Sequence, residues 1–252
     1  MTVLQSIFLG LLQGLTEFLP VSSSGHLFLA QKLFDLQADL FFDVMLHVGT
    51  LLAVLISFRK SIWHIVRHPL ADVKLRYLLL ASAATTAIAL PIKLFVSEKL
   101  MYALLPIGFA ASIVLIVLSE KLSRPKLRLQ NCGVLPVIIT GLAQGVAVFP
   151  GLSRSGATVC TMKLFGVNAS DSAEFSFLLS VPIILGGAAV EAYQSIKLGS
   201  TINWICVAAG TFAAFLSGLA SSYLVMRTVK NKSWIWFAVY LVIPLTISLI
   251  TM

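Results

Sequence analysis

Two short segments carry ionisable side chains inside stretches that are otherwise apolar. Residues 13–26 read QGLTEFLPVSSSGH and hold Glu17 and His26, and residues 150–156 read PGLSRSG and hold Arg154. If the segments meet, a carboxylate, an imidazole and a guanidinium converge with Ser22, Ser23, Ser24, Ser153 and Ser155 around one polar cavity. Such a set suits a phosphate ester. A planar guanidinium clamps two phosphate oxygens at once, so Arg154 is the first candidate for substrate contact. Gln13 and Glu17 lie four apart on one helical face. Two carboxylates at that spacing would read as a metal or acid–base pair; Gln13 and Glu17 offer one charge and one amide. Glu17 alone holds a magnesium ion only if phosphate oxygens and waters complete the octahedron. The plain alternative is an amide simply paired with a carboxylate.

The elements that must position these groups are broken helices. Each Pro/Gly/Ser break ends one half-helix and starts another, and the free N–H groups of a helix N-terminus carry partial positive charge that attracts anions. Gly25 and Gly156 are expected to let backbone approach an anion closely, while the serines offer hydroxyl donors or a nucleophile.

The surroundings of the breaks define the solvent. Of 252 residues only 18 are basic and 10 acidic, and 58% are hydrophobic, too few charges and too much apolar surface for one soluble globule. The mean hydropathy of +0.97 and long uncharged runs such as 101–119, 198–226 and 233–252 identify an all-α polytopic membrane protein. Soluble enzymes and nucleic-acid modules are excluded, and the net charge of +8 sets membrane topology instead of binding DNA. Residues 1–16 lack a basic start and a cleavage site, so they read as part of the fold and not as a signal peptide. Cys132, Cys160 and Cys206 lie far apart and read as packing residues.

The chain repeats itself. Gln13 and Gly14 fall on Gln144 and Gly145, Pro20 on Pro150, and Ser24 and Gly25 on Ser155 and Gly156, an offset of 130 to 131 residues. Two related halves, 1–126 and 127–252, each open with a broken hairpin (1–36 and 133–168) followed by three spans. The spans are expected near 40–58, 77–97 and 101–119, then 173–192, 202–226 and 233–252. Basic residues cluster in three connections: Arg59, Lys60, Arg67, Lys74 and Arg76; Lys121, Arg124, Lys126 and Arg128; and Arg227, Lys230 and Lys232. All three should be cytoplasmic. A full crossing by residues 133–153 would put the third cluster outside, so a re-entrant hairpin is expected there. The second half is then inverted relative to the first, six transmembrane helices join two re-entrant hairpins, and the hairpin tips meet near the midplane.

The two motifs resemble the undecaprenyl pyrophosphate phosphatase family of the bacitracin-resistance type, and the similarity continues through FDVMLHVGTLLAV and SAEFSFLLSVP. The resemblance points to Gln13, Glu17, Ser23, His26, Ser153 and Arg154. It implies hydrolysis of a C55 isoprenoid diphosphate to the monophosphate, with magnesium or calcium, at the outer face of the bacterial cytoplasmic membrane. Gln13 stands where many relatives carry Glu, which removes one metal ligand or base.

On this reading Glu17, His26, Arg154 and Ser23 are catalytic candidates, with Glu17 also the metal ligand. Gln13, Ser22, Ser24, Gly25, Ser153, Ser155 and Gly156 are substrate-binding candidates. Ser23, His26 and water remain open as the nucleophile, with His26 alternatively protonating the leaving phosphate. The competing class is an anion or polyprenyl-phosphate transporter using the same midplane site. Glu17 argues against a pure anion carrier, because a carboxylate in a phosphate site serves a cation or a water. A second membrane phosphatase signature needs a histidine where Cys160 stands, so it fails. Asp43 and His47 form a polar helical face, either supporting the site or simply paired. His64 and His68 read as part of a solvated helix. Glu174 and Glu191 read as span ends, with Glu174 an optional support for Arg154.

Overall fold

The computed structural model describes residues 1–36, 39–69, 72–198, 202–229 and 233–251. Among them the regular elements are helical, apart from one isolated bridge between Leu127 and Val167. The first half contains α1 (Val3–Glu17), α2 (Ser23–Leu33), α3 (Leu40–Ser57), α4 (Arg59–Arg67), α5 (Val73–Phe95), α6 (Glu98–Ala103) and α7 (Leu105–Leu122). The second contains α8 (Val134–Val146), α9 (Arg154–Leu164), α10 (Ala169–Leu198), α11 (Trp204–Thr228) and α12 (Ile235–Thr251). Helices α3, α5, α7, α10 and α11 are long and apolar enough to cross a membrane, and α12 is a shorter apolar helix. The protein is a multi-pass membrane protein. Helix α8 has 13 residues, about 20 Å of rise against about 30 Å of hydrocarbon, so the uncharged run 133–153 is not one spanning helix.

Local chemistry sets the boundaries. Thr2 and Gln5 form a capping box at α1, and Asp39, Asp72 and Asn203 cap α3, α5 and α11 with side-chain oxygens. Three sequence expectations change. The connection holding Arg59, Lys60 and Arg67 is helix α4, as the His64 and His68 spacing suggested, but it is not wholly solvated: Ile65 is buried and the Arg67 guanidinium lies 4.7 Å over the Trp63 ring. Helix α5 begins at Val73, which puts Lys74 and Arg76 in its first turns. The run starting at 101 is divided at Leu104, because Pro106 starts a new helix in the first turn of α7. Lys230, Lys232 and the side chain of Glu191 lie outside the described residues.

The repeat appears in the helix register. From Val3 to Val134, from Ser23 to Arg154 and from Leu33 to Leu164, the starts of α1 and α8 and both ends of α2 and α9 are displaced by 131 residues. The packing exchanges in the same way: α1 lies along α11 as α8 lies along α5, α3 meets α11 as α10 meets α5, and α2 touches α12 as α9 touches α7. Contacts α3 with α10 and α7 with α12 complete the set. Close approach at the two hairpin–span seams depends on small residues. A Cβ on Gly10 or Gly14 would collide with Gly210 and Ser217 of α11, and one on Gly141 with Ala81 of α5. Polar contacts follow the exchange too. Ser217 Oγ donates to the Gly10 carbonyl at 3.4 Å, and Thr85 Oγ1 to the Gly141 carbonyl at 2.9 Å. Lys163 pairs with Glu120, and Lys32 with the Thr251 carbonyl. At the first break, Phe18 meets Phe177 of α10 edge to face at 5.0 Å and both are buried.

Candidate active site

The breaks that end α1 and α8 bring the charged residues together. Glu17, the last residue of α1, is 8% exposed, and Arg154, the first residue of α9, forms an ion pair with its Oε1. The other carboxylate oxygen accepts from Gln13 Nε2 at 2.8 Å and Ser23 Oγ at 2.6 Å, with His47 Nε2 at 3.7 Å. The Ser23 hydroxyl proton therefore lies on a carboxylate, the arrangement that activates an alcohol oxygen. Glu17, Phe18, Arg154, Ser155, Ser176, Phe177 and Ser180 line a small pocket beside the pair. A buried ion pair is held by both charges at once, and losing either partner strands the other at a cost of about 3–5 kcal/mol.

The serines divide into two kinds. Ser22 and Ser153 are the N-caps of α2 and α9, with Oγ accepting from Gly25 N at 3.4 Å and Gly156 N at 3.0 Å. Each of these hydroxyl oxygens takes up one amide at a helix start, so Ser22 and Ser153 cap their helices while each hydroxyl keeps its own hydrogen to donate. Ser155 Oγ donates to the Leu19 carbonyl at 2.8 Å and ties the two breaks together. Ser24 lies 3.5 Å from Ser22 through their hydroxyls. Gly25 and Gly156 serve packing: a Cβ on Gly25 would meet Phe109 at 2.6 Å, and one on Gly156 would press on Ser153 at 3.0 Å. His26 turns away from the carboxylate. Its Nδ1 lies 2.8 Å from the Ser22 carbonyl and its Nε2 2.8 Å from the Tyr240 hydroxyl. Glu174 does not support Arg154; it pairs with Lys74 at 2.6 Å and accepts from Ser61 at 2.7 Å.

Residues 6–246 match the family described as bacitracin resistance protein BacA. The chain belongs to this family. Curated relatives bearing the name undecaprenyl-diphosphatase include one from Carboxydothermus hydrogenoformans, 38% identical over 95% of this chain and 94% of its own. One from Treponema denticola is 37% identical over 99% and 97%, and one from Syntrophotalea carbinolica 39% identical over 95% of each.

Family membership gives the donor set a chemical test. Among the described residues no group of three or more His, Cys, Asp or Glu side chains is placed to hold a metal ion. A cation here would take ligands from its substrate. Gln13 Oε1 fits that need, being fully buried with no hydrogen-bond partner beside the Glu17 carboxylate. Sequence reasoning left Asp43 and His47 open. His47 Nδ1 lies 2.8 Å from the Asp43 carbonyl, which aims Nε2 at Glu17, while the Asp43 carboxylate accepts from Gln31 at 2.6 Å. Ser176, Ser180 and Tyr240 were missed, since a hydroxyl in an apolar run carries no signal until its neighbours are known.

Proposed function

We propose that the protein is an integral membrane phosphatase that hydrolyses undecaprenyl diphosphate to undecaprenyl phosphate and phosphate. It would thereby recycle a lipid carrier of peptidoglycan synthesis and confer bacitracin resistance. The observation that carries this reading is the meeting of Ser23 and Arg154, from two separate breaks, on the buried carboxylate of Glu17. The relatives' name supplies the substrate.

Arg154 receives the terminal phosphate by exchanging its Glu17 partner for phosphate oxygens, and the carboxylate is freed as it does so. Glu17 then draws the proton from the attacking oxygen, that of Ser23 or of a water beside it. The new O–P bond forms as the anhydride bond breaks, and the lipid monophosphate leaves. Where Ser23 is the attacking group, water then attacks the phosphoserine phosphorus, the Ser23 oxygen leaves and takes up a proton from Glu17, and phosphate is released. Magnesium or calcium, held by Glu17 and Gln13 Oε1 with phosphate oxygens, would supply further charge neutralisation. Arg154 and the helix ends of α2 and α9 stabilise charge gathering on phosphorus. An anion or lipid carrier would have little use for a serine hydroxyl hydrogen-bonded to a carboxylate.

The fold reading that accompanies this is an inverted repeat of six transmembrane helices and two re-entrant hairpins. The 131-residue register and the exchanged packing support it. The site would open to the outer face of the bacterial cytoplasmic membrane.

Purified protein in detergent should release phosphate from a long-chain isoprenyl diphosphate only with a divalent cation, and Glu17→Gln, which keeps the shape but not the charge, should lose nearly all turnover. Full activity in that variant, or none in the wild type with magnesium and calcium both supplied, would end the phosphatase reading. Orientation has its own test. An impermeant thiol reagent added to intact cells should label Glu98→Cys and spare Arg124→Cys. Native Cys132 should react more slowly than an exposed cysteine, since partial burial pushes its thiol above the ordinary range. The reverse labelling would invert the topology.

A further inference from the structure

Each hairpin break is held by the last helix of the opposite half. At the second break, Ser112 of α7 accepts from Ser153 N at 2.8 Å and donates to the Gly151 carbonyl at 3.0 Å. At the first break the matching connection comes from α12, through Tyr240 and His26 to the Ser22 carbonyl. Tyr240 stands 131 residues after Phe109 of α7, and His26 lies against both, stacked on Tyr240 at 7° between planes and edge-on to Phe109 at 89°. The first break needs the firmer hold. Ser22 has φ 66°, left-handed for a non-glycine residue, whereas Ser153 at φ −69° is unstrained. A serine keeps such a conformation only where its surroundings impose it.

The hydrogen bonds also settle what the ring can do. A carbonyl only accepts, so Nδ1 carries the hydrogen toward Ser22, and in the neutral ring Nε2 accepts the Tyr240 hydroxyl. Both nitrogens are engaged, and neither is directed at the Glu17–Arg154 pair. We propose that Tyr240 and His26 form a brace from α12 to the first break, holding Ser22 in its left-handed conformation and so aiming Ser23 at Glu17. His26 is then a positioning residue and not the acid or nucleophile of the reaction. This deepens the phosphatase reading and rests on it.

The test uses side chains that mimic one ring nitrogen at a time. In His26→Asn the side-chain amide can donate to the Ser22 carbonyl from the place of Nδ1, but it has no titrating nitrogen and no nucleophile. A brace predicts that this variant keeps turnover within about tenfold of wild type, the loss of one neutral hydrogen bond. His26→Ala should fall by about 10², as expected when a reacting group is misplaced. If His26→Asn is as inactive as His26→Ala, or if His26→Ala is fully active, the brace is wrong. Tyr240→Phe keeps the ring and removes only the hydroxyl; it should lower kcat about threefold to tenfold with KM unchanged. In the His26→Asn background it should cost nothing more, since the two act as one unit. An equal loss in both backgrounds overturns the proposal. A readout independent of substrate is the nitrogen-15 spectrum of His26 in the purified protein. It should show hydrogen on Nδ1, with the Nε2 signal moving in Tyr240→Phe. Hydrogen on Nε2 of the neutral ring would refute the brace even if the wild type released no phosphate. Absence of phosphate release with the expected spectrum would instead count against the phosphatase reading alone.

Discussion

In the hairpin of α1 and α2 the break carries Glu17, Ser23 and His26; at the same places in the hairpin of α8 and α9 stand Val148, Arg154 and Ala157. The skeleton around them is shared: a serine cap, a glutamine on the first helix, and a small-residue seam against a span of the other half. Glu17 and Arg154 are not equivalent by register, so an exact duplication would place a carboxylate and a guanidinium in each half and form the ion pair twice. The chain forms it once: Val148 and Ser23 stand at the other two places, and Ser23 puts a hydroxyl, not a second guanidinium, beside the carboxylate. The duplicated frame positions the site, and the departures from duplication make it reactive.

Arg154 gives the largest expected effect on this comparison. Arg154→Ala leaves Glu17 buried without its partner and the diphosphate without its clamp, so both substrate binding and turnover should fall. Arg154→Lys keeps the charge and gives up the planar two-pronged donor. It should lose about 10² to 10³ in kcat, the size seen when one aligned transition-state donor is removed. If the lysine variant turns over at the wild-type rate with saturating substrate, charge alone is enough and the bidentate contact is not used.

Much of this comparison was legible in the sequence, for physical reasons that also explain the gaps. Glu17 and Arg154 stood out because charge is costly in hydrocarbon, and the repeat because Gly, Pro and Ser punctuate both breaks. The helix division at Leu104 was hidden inside an uncharged run, with Pro106 the one signal for it. The segment 59–67 was legible as a helix from His64 and His68, but reading it as fully solvated hid the face that buries Ile65. At the site, four-residue spacing placed Gln13 beside Glu17 correctly on one face. It did not say which serines would be consumed as helix caps, because cap and substrate donor are the same residue type until the helix start is known. Tyr240 had no local mark at all; only its displacement of 131 from Phe109 relates it to the first break.

The glutamines provide the finest test of the division between halves. Gln13 and Gln144 are equivalent by register, both buried, and both leave Oε1 without a hydrogen-bond partner. Their amide nitrogens differ: Gln13 donates to the Glu17 carboxylate at 2.8 Å, and Gln144 to the Thr85 hydroxyl at 3.2 Å. Replacing either with Met preserves the approximate volume and removes a buried unpaired oxygen, whose desolvation costs about 1–3 kcal/mol. Stability should thus change little in either variant, a shift of no more than a few degrees in Tm. Activity should separate them. Gln13→Met should lower turnover about tenfold, the loss of one hydrogen bond to a charged group, and should raise the cation concentration needed for half-maximal rate. Gln144→Met should leave both unchanged, because its amide faces α5 and not the carboxylate. Equal losses of activity in the two variants would mean that the second hairpin's glutamine also feeds the site, and that the halves share the chemistry more evenly than their charges imply.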